Sequence, residues 1–137
     1  MSHQQFFITQ NIILKNRDGK VLLLEHMTGK WLLPGGKINK KEGWLDGLRR
    51  EVEEETGIKD FSIERIIDVD SWVDEEQGYY IVTFLGSVSG NLEIVLSDEH
   101  KSYAWAGEND LESYEFWNEK IRKRVCKIFK AHKKEEK

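Results

Sequence analysis

Gly36-Lys-Ile-Asn-Lys-Lys-Glu42-Gly-Trp-Leu-Asp-Gly-Leu-Arg-Arg50-Glu51-Val52-Glu53-Glu54-Glu55-Thr56-Gly57-Ile58 is the stretch that decides how this chain reads. Its spacing predicts a helix over residues 43–56, because Leu45, Leu48 and Val52 fall at i, i+3 and i+7 and make one apolar stripe. Gly57 follows as a left-handed C-cap. On such a helix Glu51, Glu54 and Glu55 share one side, while Glu53 points elsewhere. The three carboxylates are expected beside the stripe, near the core edge. Like charges there repel unless a cation fills the gap. Arg50, one turn before Glu54, neutralises one of them, and a hard divalent cation suits the others. Taken alone, the patch also fits a solvated acidic helix face.

The metal reading has a chemical consequence. Mg²⁺ keeps several waters and is held by few carboxylates plus substrate phosphates. Such an ion shields phosphate charge and acidifies an attacking water. Gly35 and Gly36 let backbone approach a ligand closely, and the Gly36 carbonyl is placed to complete a metal shell.

Outward from this stretch, Phe6–Leu14 reads as a strand, Asn16–Gly19 as a turn and Val21–His26 as the partner strand of a hairpin. Leu33-Pro34-Gly35-Gly36 is expected to break regular structure. Ser62–Val69, Tyr79–Val88 and Ser102–Ala106 read as three further strands, with the polar segment Asp74–Gly78 between the first two. Asn109-Asp110 and Ser113 are candidate helix N-caps. A last helix is expected from about Tyr114 to His132, its buried side marked by Trp117, Ile121, Val125 and Ile128. Strands flanking a helix, with a second helix closing the chain, predict an α/β fold: a mixed sheet covered on both faces.

The 137 residues amount to one domain, residues 1–137. Lys and Arg total 21 against 25 Asp and Glu, a net charge of −4 that argues against a nucleic-acid partner held by bulk charge. Residues 120–137 carry nine Lys/Arg and two Glu, a local +7 that the amphipathic pattern assigns to the solvated face and tail of the last helix, about 114–137. No apolar run exceeds four residues, so no membrane helix is expected. The N-terminus lacks a basic region followed by an apolar stretch, so no secretory signal is expected. The single cysteine, Cys126, points to a reducing cytoplasm. His3, His26, His100 and His132 are scattered, without zinc-ligand spacing to Cys126, and are assigned structural or surface roles.

The quoted stretch resembles the Nudix box, G-x5-E-x7-R-E-U-x-E-E-x-G-U with U a bulky aliphatic residue. Gly36, Glu42, Arg50, Glu51, Val52, Glu54, Glu55, Gly57 and Ile58 fill every specified position. A chance match at a given start is on the order of 10⁻⁸ for this composition. Trp31-Leu-Leu-Pro34-Gly-Gly before the box is similar to the family as well. So is Ser97-Asp-Glu99 ahead of Tyr103-Ala-Trp105.

The resemblance implies an α/β/α sandwich, with the box helix and the C-terminal helix on the faces of a mixed sheet. It implies a pyrophosphohydrolase acting on a nucleoside diphosphate linked to another moiety, with Mg²⁺ (or Mn²⁺) as cofactor. The leading substrate is a (deoxy)nucleoside triphosphate, cleaved to monophosphate and pyrophosphate. Nucleotide sugars, ADP-ribose and dinucleoside polyphosphates are alternatives, as is a non-catalytic nucleotide- or RNA-sensing module. Glu51, Glu54 and Glu55 are the implied metal carboxylates, with the Gly36 carbonyl and Glu99 as further ligands. The implied catalytic group is Glu51, Glu54, Glu99 and Arg50, with Glu42 and Arg50 bracing the box and Gly57 structural. Lys37 is expected by the phosphates. Trp117 is a candidate to stack on a base while Asn118 or Glu119 hydrogen-bonds its edge; as core anchor of the last helix, Trp117 would instead be buried.

Overall fold

A computed structural model of the chain describes residues 2–90 and 92–135, with side chains described through Ala131. Residues 136–137 of the basic tail and the side chain of His132 lie outside the described residues. Seven strands form one mixed sheet: β1 (Phe6–Lys15), β2 (Val21–His26), β3 (Trp31–Leu32), β4 (Gly35–Lys37), β5 (Ser62–Val73), β6 (Gly78–Ser87) and β7 (His100–Ala106). The order is β3-β2-β1-β6-β5, with β4 on β1 and β7 on β2. Helices α1 (Trp44–Thr56) and α2 (Glu119–Glu135) complete the fold, with a 3₁₀ turn at Glu108–Ser113.

Both helices find their cover in the strand alternation. Ile12 and Leu14 of β1, with Leu22 and Leu24 of β2, pack with Leu48 and Val52 of α1. The intervening Ile13, Val21 and Leu23 pack with Ile121, Val125 and Ile128 of α2. Because both faces are covered, β1 and β2 carry near-continuous apolar runs rather than alternating ones. The α/β architecture is therefore as expected, and no helix among the described residues is long and apolar enough to cross a membrane.

Several local expectations are corrected. The β1–β2 hairpin closes only at Lys15↔Val21. Beyond it the strands part, because β1 is taken by β6 in parallel from Phe6↔Gly78 to Lys15↔Ser87 and by β4 on its other edge. Strand β2 goes instead to β3 and β7. Gly35 and Gly36 do not break the sheet. They lie in β4, opposite Asn11 and Gln10, and a Cβ on Gly35 would meet the Gln10 carbonyl. That close approach is the reason glycine sits there.

Helix α1 starts one residue later than expected, with Gly43 as its N-cap, and ends at Gly57 with φ 77°, the predicted left-handed cap. Leu45 is exposed, and the buried side of α1 is Gly47, Leu48, Val52, Glu55 and Thr56. The 3₁₀ turn is capped by Gly107, whose N–H donates to Asp110 Oδ2, rather than by Asn109-Asp110. Helix α2 begins at Glu119, not near Tyr114. The preceding residues run along β3: Trp31 N–H donates to the Glu115 carbonyl and Trp117 N–H to the Trp31 carbonyl, each at 2.8 Å. Asn118 then caps the helix, its Oδ1 accepting the Ile121 N–H at 3.1 Å.

Candidate active site

The site is built on α1 and the two segments that flank it. Arg50 is the organising cation. Its Nε donates to Glu42 Oε2 at 2.7 Å and its Nη2 to Glu42 Oε1 at 3.0 Å, a two-pronged pairing. Nη1 reaches Glu51 at 2.9 Å and Glu54 at 3.2 Å, and Nη2 also reaches the Lys37 carbonyl at 3.1 Å. One guanidinium thus ties the loop before the helix to the helix itself, the bracing role that the family resemblance implied. The Arg50 hydrogen bonds, with the Asn39 N–H, hold the Glu42 carboxyl down to about 2.

The three predicted carboxylates diverge in environment. Glu54 is 59 % exposed, out in solvent rather than at the core edge. Glu51 is half-buried, and its carboxyl is pushed up mainly by that burial, against the pull of Arg50. The Glu51 side chain fills the space a Cβ on Gly36 would need. Glu55 is only 5 % exposed and continues the buried stripe of Leu48 and Val52. Its Oε1 accepts the Gly35 N–H at 2.7 Å. Burial nevertheless pushes its carboxyl up to about 8, with Glu51, Glu99 and Glu54 adding repulsion.

The segment before β7 brings a fourth acid. Donor atoms of Glu55, Glu99 and His100 all lie within 4.8 Å of one another. Glu99 is exposed and His100 is buried. Burial also pushes the His100 imidazole down, against the pull of Glu99. A buried carboxyl repelled by the neighbouring Glu51, Glu99 and Glu54, with Arg50 already committed, belongs to a donor set that fits a hard divalent cation.

A cleft of about 460 Å³ opens from this cluster. Gly36, Glu55, Glu99 and His100 line one part of it, while Trp72, Tyr79 and Trp117 supply aromatic wall elsewhere. Trp117 is 47 % exposed, so it is not the core anchor of α2; its ring stands edge-on to His26 at 5.1 Å. Trp72 and Tyr79 stack on each other at 5.4 Å, paired across β5 and β6. Asn118 lines the cleft, although its carbonyl oxygen is used to cap α2. Glu119 is absent from the lining and pairs with Arg122 at 3.3 Å. Lys37 is absent too, its ammonium lying over the Phe7 ring at 4.6 Å.

Sequence reasoning missed His100 and did not decide on Trp72. The signal for His100 was its place directly after Glu99, at the start of a strand. A larger groove of about 840 Å³ lies against α1, with Trp44 stacked on Phe84 in it, but it holds no member of the acidic cluster.

Comparison with known proteins agrees with this fold. The NUDIX domain family model matches residues 6–126. Nucleoside triphosphatase NudI of Salmonella schwarzengrund is 33 % identical over 96 residues, covering 64 % of this chain and 68 % of that protein. The MutT protein from Methanosarcina mazei Go1 superposes with a TM-score of 0.78 at 27 % identity, covering 97 % of this chain and 99 % of that one. A C. elegans Ap4A hydrolase shares the fold at 18 % identity, with a TM-score of 0.74 over 92 % of this chain and 96 % of its own.

Proposed function

The chain belongs to the Nudix hydrolase family, and from that premise we propose that it is a Mg²⁺-dependent pyrophosphohydrolase of (deoxy)nucleoside triphosphates, releasing monophosphate and pyrophosphate. The observation that carries this reading is the buried Glu55 carboxyl, grouped with Glu99 and His100 and repelled by Glu51, beside a cleft lined in part by aromatic side chains. The nucleoside triphosphatase relatives support the substrate class.

Glu51, Glu54, Glu55 and Glu99, with the Gly36 carbonyl, would hold the ion; Mn²⁺ suits the same oxygen donors. When bound, the ion neutralises phosphate charge and lowers the pKa of a bound water. Arg50 keeps the Glu51 and Glu54 carboxylates oriented while Glu42 anchors Arg50. The glutamates orient the attacking water and take its proton. The oxygen of that water joins phosphorus as the phosphoanhydride bond breaks, and pyrophosphate leaves. Trp117, exposed and lining the cleft, would stack on the base, with the Asn118 amide at the base edge. Lys37 and Glu119 keep their proposed places at the phosphates and the base edge, each leaving its present partner, the Phe7 ring or Arg122, to take it up. We read residues 1–137 as one cytoplasmic domain, in keeping with the span of the family match and the single cysteine.

The test is hydrolysis of a panel of triphosphates, ADP-ribose, nucleotide sugars and a diadenosine polyphosphate, with and without Mg²⁺. Glu54→Gln/Glu55→Gln protein runs alongside. Metal-dependent release of pyrophosphate from a triphosphate, lost in the double variant, is expected. Nucleotide binding without turnover across the panel would overturn the enzyme reading in favour of a sensor.

A further inference from the structure

We propose that the His100 imidazole is a nitrogen donor to the divalent ion, giving a mixed nitrogen–oxygen ligand set with Glu55 and Glu99. The inference rests on the metal-site reading above. It begins from a buried ring with no hydrogen bond. The His100 side chain is 4 % exposed, and its Nδ1 has no partner among the described residues. Its Nε2 lies 3.5 Å from Glu55 Oε2, beyond the usual length of an N–H···O bond. Buried polar atoms are nearly always satisfied, so this ring calls for an explanation.

For Nε2, the nitrogen that faces Glu55, the spacing supplies one; Nδ1 stays without a partner among the described residues. Two donors bound to one ion at about 2.1 Å each are roughly 3.0 to 3.4 Å apart for bond angles of 90 to 110°. The Nε2–Oε2 separation sits close to that range, and one ligand atom each from Glu55, Glu99 and His100 lie within 4.8 Å of one another. A cation between them would be bound by the Nε2 lone pair and the carboxylate oxygens together. The backbone is arranged for this aim. His100 pairs with His26 just past an irregularity in the β2–β7 register, between Glu25 and His26. Bulges of this kind redirect side chains.

His26, the other cleft histidine, is already committed. Its Nδ1 is 3.1 Å from the Thr28 hydroxyl and accepts the Thr28 N–H at 3.2 Å. A nitrogen donor also shifts metal choice. Imidazole suits borderline transition ions, whereas Mg²⁺ prefers oxygen. The site should then hold Mn²⁺ or Co²⁺ more tightly, relative to Mg²⁺, than an all-oxygen site would.

The test uses full-length protein loaded with Mn²⁺ alone, without nucleotide. Pulsed electron paramagnetic resonance reads nitrogen coupling to the ion, and competition titration reads the Mn²⁺-to-Mg²⁺ affinity ratio. Nitrogen coupling is expected in the wild type and in His26→Gln. It should be lost in His100→Gln, with the affinity ratio falling about tenfold. Labelling all histidines with ¹⁵N should change the coupling in the wild type, which keeps the question answerable if His100→Gln fails to fold. Mn²⁺ bound without nitrogen coupling, or coupling that survives His100→Gln, overturns the inference and leaves the carboxylate site standing. A wild type that binds no Mn²⁺ overturns the metal-site reading itself. A ring that merely steadied Glu55 would give no nitrogen signature.

Discussion

Replacing Glu55 by Gln should stabilise the metal-free protein at high pH, and the size of the effect follows from burial. Within the fold, the Glu55 carboxyl holds its proton up to about 8, against 4.5 for an ordinary glutamate. The folded state therefore binds more protons than the unfolded chain across that window. Stability is fully present below about pH 4.5 and falls as pH rises toward 8. At about 1.36 kcal/mol per pH unit, the loss is on the order of 3 kcal/mol at pH 7 and 5 kcal/mol by pH 9. Gln removes this titration and keeps an oxygen for the Gly35 N–H. The assay is Tm of both proteins in EDTA from pH 5 to 9, where the difference between them cancels the titrating groups not coupled to Glu55. At pH 5 the two should differ by no more than about 1 kcal/mol, and the variant should lead by on the order of 10 °C at pH 9. A divalent ion at 100 times its Kd should return about 2.7 kcal/mol to the wild type and little to the variant. Parallel Tm curves across the pH range would refute the reasoning, since they would mean that Glu55 ionises in the fold as readily as in water.

Three further outcomes test neighbouring parts of the site. Gly36→Ala places a Cβ on the Glu51 carboxylate; calorimetric titration should show at least a tenfold loss of divalent-ion affinity, with Tm little changed. Arg50→Lys replaces a fork that serves Glu42, Glu51, Glu54 and the Lys37 carbonyl with one compact ammonium. Its Tm and turnover should both fall, and an unchanged pair would remove Arg50 as the organising cation. Trp117→Ala removes an exposed ring, so Tm should hold within a few degrees while nucleotide Kd, read by calorimetry, weakens about tenfold, the scale of one base–aromatic stack.

Periodicity made the helix, its Gly57 cap and the strand positions legible, because those depend on residues within one or two turns of each other. It also placed Glu51 and Glu55 on the inner side of α1. Contacts made across the chain were not legible. The parallel pairing of β1 with β6 joins residues about seventy positions apart and leaves no local mark. Trp117 reads as helix by its spacing to Ile121, yet its backbone is drawn out by Trp31, eighty-six residues earlier. Lys37 follows the box glycines closely, but the Phe7 ring holds its ammonium elsewhere. Specificity in the cleft depends on such contacts, which is why Trp72 and Tyr79 emerge only from the fold.

The fold and the chemistry meet at one position. Leu48, Val52 and Glu55 fall at i, i+4 and i+7, so the core stripe of α1 continues into a carboxylate. An amphipathic helix built only for packing would place an apolar residue there. The acid breaks a local rule, and such breaks concentrate where function demands them. Its single hydrogen bond from Gly35 does not offset the burial, as the raised carboxyl shows. What would offset it is a cation shared with Glu51 and Glu99. On that argument metal binding and folding stability would be linked through Glu55: the residue whose burial destabilises the metal-free protein is one of those proposed to hold the ion.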